Sequence, residues 1–253
     1  TELVMMEGSQ YFGGPAGFSL ATQNDVPMAA KAHIVGQAFL GLEMKCARCH
    51  DAPYHDFLQE DLFSLAALLQ RGTQEVPKTS TIPGGDNAAE SLLVDVTLKP
   101  GAKVTPKWTF PELVPDEVPA EILRDENDSR ERLAALITSP NNQRFARVIV
   151  NRLWRRYMGL GLVEPVDDWD HAKPSHPELL DHLARELVSN EYDLKHVVRL
   201  ILNSHAYQRL PCDPGSVGNH AEYHFAAPVR RRLSAEQLVD SLFSAAQMPF
   251  DAG

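Results

Sequence analysis

The chain has 253 residues, 43% hydrophobic and 23% charged, an ordinary soluble balance that excludes wholesale disorder and allows one or two domains with real cores. A net charge of −10 leaves no case for nucleic acid and weakens any case for anionic lipid. No uncharged apolar run approaches the ~18–20 residues needed to span a bilayer, so no integral membrane segment is expected.

Gly13-Gly14-Pro15 and Gly17 predict an irregular start. Thr1-Glu2-Leu3-Val4 lacks the basic start and apolar core of a signal peptide, so the chain reads as a mature or trimmed form. From Met28 to Leu42 a helix is expected, with Ala29, Ala30, Ile34, Phe39 and Leu40 as its apolar stripe. It runs towards Cys46-Ala47-Arg48-Cys49-His50.

That pentapeptide is the most informative feature of the chain. Two thiols separated by two residues sit about one helical turn apart, so both can add to the two vinyl groups of one haem. The following histidine, His50, then falls under the iron as its proximal ligand. The reading is therefore one covalent haem c on Cys46, Cys49 and His50, matured outside the reducing cytoplasm. Zinc is a poorer match, because Cys46, Cys49 and His55 supply only three ligands and no finger-like second pair follows. A thioredoxin-type pair would want a preceding strand, which Phe39 to Met44 does not resemble. Of the three cysteines, Cys212 is left over and is expected to be buried.

Glu60 to Leu69 predicts a second helix, with an acidic first turn and a stop at Arg71-Gly72. Residues 73–90 read as polar loop. Leu92 to Leu98 alternates apolar and polar residues and turns at Lys99-Pro100-Gly101. Val104 to Phe110 is the expected partner strand, giving a small β-hairpin near 92–110. Pro111 to Pro119 reads as a linker, dividing a haem-binding region, 1–115, from a helical domain, 116–253.

In that second region Ser129 to Thr138 predicts one helix, and Asn141 is placed to cap the next. Phe145, Val148, Ile149, Leu153 and Tyr157 share a face of that next helix up to Gly159. Ser175-His176-Pro177-Glu178 reads as a capping box opening a helix to about Ser189. Asp193 caps a further helix bearing Leu194, Val197, Val198, Ile201 and Leu202, and Ser234-Ala235-Glu236-Gln237 opens the last. The expected class is mainly α: a helical haem c-binding segment with a small β-hairpin, then a helical domain.

Several of these stretches carry a family likeness. Cys46 to Asp51, preceded by Phe39-Leu40-Gly41, resembles the planctomycete-type cytochrome c proteins. Leu136 to Pro140, Phe145 to Trp154, Gly159 to Val163, Asp167-Asp168, Ser175 to Asp181, Leu200 to Ser204 and Tyr207-Gln208 resemble their associated helical domain of unknown function. The likeness covers roughly residues 36 to 247. It implies haem and export, and members are typically large exported proteins with further domains. The expected location is periplasmic or extracellular.

A sixth iron ligand is less legible, since no methionine occurs between His50 and Met158. His33, Met28 and His55 are the candidates, with Met5, Met6, Met44 and His171 behind them. Asp167, Asp168 and Asp170 around Trp169, with His171 and His176 near, suit acid–base work, calcium, or a solvated turn that caps the next helix. Arg152, Arg155 and Arg156 suit haem propionates or a solvated face. Arg230-Arg231-Arg232 reads as a surface run.

The expected role is electron transfer, with a redox partner protein or a larger exported assembly. The alternatives are a haem-dependent oxidoreductase acting on an extracellular substrate such as carbohydrate, and a structural or interaction module.

Overall fold

The computed structural model describes residues 2–9, 14–20, 27–78, 94–213 and 224–248. The glycine-containing start holds a short helix α1 (Glu2–Met5) and a 3-10 turn at Pro15–Ser19, while Gly13 lies outside the described residues. Helix α2 (Pro27–Val35) runs into a π turn, Gly36–Leu40, that ends on Gly41 with φ at 65°. Its buried face differs from the expected stripe. Ala29, Ala32, Val35 and Lys31 face inward, while Ile34 is exposed. Lys31 Nζ lies 6.0 Å from the Phe18 ring centroid, and burial together with the charge of Arg130 pulls its pKa down.

Helix α3 (Gln59–Gln70) is the central post of the first core. Every residue from Leu62 to Leu69 is buried, the pattern of a helix covered on all sides. At ~1.5–3 kcal/mol for each large apolar side chain buried, this helix is the main source of local stability. The Asp61 carboxylate accepts from the Leu58 backbone N–H at 2.8 Å at its start, and Arg71 closes it with φ at 62°.

The small sheet has a different pairing from the predicted hairpin. Strand β1 (Gln74–Glu75) runs antiparallel to β2 (Lys103–Val104), with Gln74 opposite Val104. Residues 94–98 of the expected first strand lie in no strand, and their backbone is used elsewhere: Asp95 C=O accepts from Asp51, and Leu98 N–H donates to Gln59. Leu92, Leu93 and residues 79–90 of the expected loop lie outside the described residues. The proline-spaced stretch 111–119 also packs inward, since Val114 is buried and its carbonyl accepts from the Trp108 indole N–H at 3.0 Å.

Helices α4 (Ser129–Thr138), α5 (Gln143–Met158), α6 (Pro177–Ser189), α7 (Leu194–Leu202) and α8 (Ala235–Ala245) follow. The first hydrophobic core takes in Leu133, Ala134, Leu136 and Ile137 of α4, and a second core begins at Ala146 of α5. The changeover thus falls between Ile137 and Ala146. Asn142, rather than Asn141, caps α5: its Oδ1 accepts from Phe145 N–H while its Nδ2 donates to Leu136 and Ile137 carbonyls. Asp193 and Ser234 cap α7 and α8 as expected. Ser175 does not cap α6. Its hydroxyl donates to Leu162 C=O at 3.1 Å, and the helix opens at Pro177 behind His176.

Candidate functional site

Cys46–Arg48 form a 3-10 turn that stands against α3. The N–H of Cys49 donates to Cys46 C=O at 3.1 Å, and that of His50 to the same oxygen at 3.3 Å. In this geometry side chains three residues apart eclipse, so both thiols belong to one side of the turn. Ala47 between them is fully buried and anchors the turn to the core, leaving Cys46 exposed and Cys49 half-buried. Cys212 is half-buried in the second half, beside a bridge to Val229.

His50 is oriented by the backbone that follows it. Its Nδ1 lies 2.7 Å from the Asp51 carbonyl oxygen, which only accepts, so Nδ1 donates there, and in the neutral ring Nε2 is the nitrogen with a lone pair. Asp51 is itself pinned. Its carboxylate accepts from Gln59 N–H at 2.7 Å and Thr97 Oγ1 at 2.8 Å, and its N–H donates to Asp95 C=O at 2.8 Å. The 94–98 segment therefore braces the motif loop, a role its alternating pattern does not reveal.

The second half docks on this loop through residues 167–170. Asp168 Oδ2 lies 2.9 Å from His55 Nε2, and Asp170 Oδ2 accepts from Asp56 N–H at 3.1 Å. Trp169 N–H donates to Gly41 C=O at 2.9 Å, with the Arg144 guanidinium 5.3 Å above the indole. Arg152 donates to the carbonyls of Gln37 and Ala38 in the π turn, at 2.9 and 3.1 Å, and pairs with Asp167 at 2.7 Å. None of the three aspartates caps α6, whose N-cap is His176.

The candidate sixth ligands have distinct surroundings. His33 Nε2 lies 3.6 Å from Glu43 Oε1, its Nδ1 is buried without a hydrogen bond, and burial lowers its pKa against the opposing pull of Glu43. Met28 packs against the first core. His55 stacks on Phe57 at 5.8 Å, and binding iron through Nε2 would require release of Asp168. Met44 and Met5 are buried in the interior.

Among the described residues, the group of three or more His, Cys, Asp or Glu ligand atoms lying within 4.8 Å of one another is Asp56, Asp170 and His171. Cys46, Cys49 and His55 are not such a group. Two eclipsed thiols and a histidine with Nε2 available form a donor set that fits a thioether-linked haem.

Residues 129–251 match the family model PSD1, a protein of unknown function (DUF1553), and residues 17–74 match PSCyt2, a protein of unknown function (DUF1549). Both are planctomycete-associated domains of unknown function, and the second span contains the Cys46–His50 turn. Searches of curated proteins and of solved structures return no match.

Proposed function

We propose that the chain is an exported c-type cytochrome carrying one covalent haem and passing electrons within a larger redox or extracellular assembly. The observation that carries this is the Cys46–His50 turn, with His50 Nδ1 committed to the Asp51 carbonyl at 2.7 Å. Cys46 and Cys49 would hold the haem as thioethers, and His50 Nε2 would face the iron. Bound there, the group supplies a one-electron iron couple. The protein's part is to fix the histidine tautomer through Asp51, and to brace the loop through Thr97, Gln59 and the docked 167–170 segment. Stronger ordering of the ligand raises its basicity, which is one lever on the potential. Attachment of this kind takes place outside the cytoplasm, so the reading includes a periplasmic or extracellular location.

The test is the visible spectrum of the native protein, oxidised and dithionite-reduced, together with its denatured mass. A c-type α band and a mass increase of one haem are expected. A bare polypeptide mass without a Soret band would end the proposal.

A further inference from the structure

Arg152, Arg155 and Arg156 of α5, with Arg231 from the segment leading into α8, line one pocket of about 360 Å3, completed by Gly159 and Val166. The fold builds this convergence. Gly159 ends α5 with φ at 90°, and a Cβ there would stand 2.8 Å from Val229 Cβ. Val229 N–H donates to Met158 C=O at 2.8 Å, which seats the 229–231 segment against the end of α5. Arg230 pairs with Asp213 at 2.9 Å, while Arg231 lines the pocket.

The charge is only partly compensated. Arg152 pairs with Asp167 at 2.7 Å and Arg155 with Glu164 at 3.2 Å. Arg156 and Arg231 have no ion pair among the described residues. The C-terminal end of α5 contributes only about half a negative charge. More than one positive charge is therefore left in a pocket of a chain whose net charge is −10. Guanidinium forks match tetrahedral oxyanions, each offering paired N–H donors to two oxygens.

We infer that this pocket binds a dianionic tetrahedral oxyanion, phosphate or sulfate, either free or carried as a monoester. Arg156 and Arg231 supply the uncommitted charge, while Arg152 and Arg155 are held in place by their carboxylate partners.

The experiment is calorimetric titration of the native, full-length protein at low ionic strength with inorganic phosphate, inorganic sulfate and a phosphate monoester. Saturable binding is expected, weakening as salt is added. The Arg156→Gln, Arg231→Gln double variant should bind at least about tenfold more weakly, with its circular dichroism spectrum unchanged. Arg232→Gln, outside the pocket, should bind as the parent does. Tighter binding of the monoester would assign the site to an anion carried on a larger molecule, and equal binding to the free ion. Absence of binding by the native protein, or equal binding by the double variant, overturns the inference, including the case in which haem propionates already hold these arginines.

Discussion

The backbone N–H of Trp169 donates to the carbonyl of Gly41 at 2.9 Å, and the indole fills the space that a side chain at Gly41 would need. Gly41 combines a left-handed φ of 65° with this close approach, so two independent requirements select glycine at the position. The contact joins the chain just before the motif turn to the loop that docks on it.

Gly41→Ala should therefore be costly. Its Cβ would lie 2.6 Å from Trp169 Cδ1, and the backbone conformation adds its own penalty. A loss of about 2–4 kcal/mol is expected in urea unfolding. Gly72→Ala, where nothing lies within 4 Å, should stay within about 0.5 kcal/mol. Equal effects at the two glycines would refute the Trp169 contact.

Two of the polar links between the halves, through Arg152 and through Asp168, should not be equivalent. Arg152 bonds two carbonyls of the π turn as well as Asp167, so Arg152→Ala should cost about 2–3 kcal/mol. The His55–Asp168 pair is partly solvated, and Asp168→Ala should cost under about 1 kcal/mol. Unfolding curves giving the opposite order would show that the aspartate, rather than the arginine, holds the docked loop.

Asn151 is fully buried on α5, accepting from Leu162 and Val163 N–H at 2.6 and 3.0 Å and donating to Val163 C=O at 2.9 Å. Asn151→Leu strands those backbone groups in the interior. About 3 kcal/mol of destabilisation is expected, and a near-neutral result would mean the loop re-pairs elsewhere.

Acid sensitivity should centre on Asp128. Its side-chain hydrogen bonds from Arg71, at 2.8–3.0 Å, hold its carboxyl below the usual carboxylate range, with backbone N–H groups of α4 adding to the effect. A carboxyl with a depressed folded-state pKa stabilises the fold above its unfolded value. That contribution is lost as pH falls through the folded value. Stability of the parent should thus decline below about pH 4, and Asp128→Asn should flatten that decline in urea titrations across pH 3–6.

For the proposed haem, the Cys46→Ser, Cys49→Ser double variant should lose the covalent mass increment entirely. His50→Ala should retain the increment but shift the Soret and α bands, because the thioethers persist without the proximal nitrogen. A haem-sized increment in the double variant would place the attachment elsewhere.

Local pattern carried much of the fold. Helices α3, α4, α5 and α7 follow from apolar spacing and from caps such as Asp193, because those signals act within a few residues. Local pattern and structure part where a partner lies far off. Val94 to Leu98 has strand-like alternation, yet Asp51 and Gln59 take its hydrogen bonds, so β2 pairs with residues 74–75 instead. Ser175 fits a capping box by spacing, but Leu162 claims its hydroxyl. At the site, Cys46, Cys49 and His50 are legible because three adjacent roles fit into five residues. The bracing by Asp168, Trp169 and Asp170 is not, since those contacts join residues more than a hundred positions apart. Lys31 is enclosed only by the tertiary fold.

The π turn at Gly36–Leu40 also makes the chain intolerant of a change in length. A π turn amounts to one residue inserted into an α-helix, and the widened turn frees carbonyls that ordinary helical pairing would use. Here Gln37 and Ala38 offer oxygens to Arg152, that of Gln37 shared with Gly41 N–H. Deleting a single residue from this stretch would restore regular winding while Leu40, fully buried, keeps its place on the core. The same deletion would withdraw the arginine's acceptors, so an error of one codon on one side of the molecule would be felt as lost adhesion on the other.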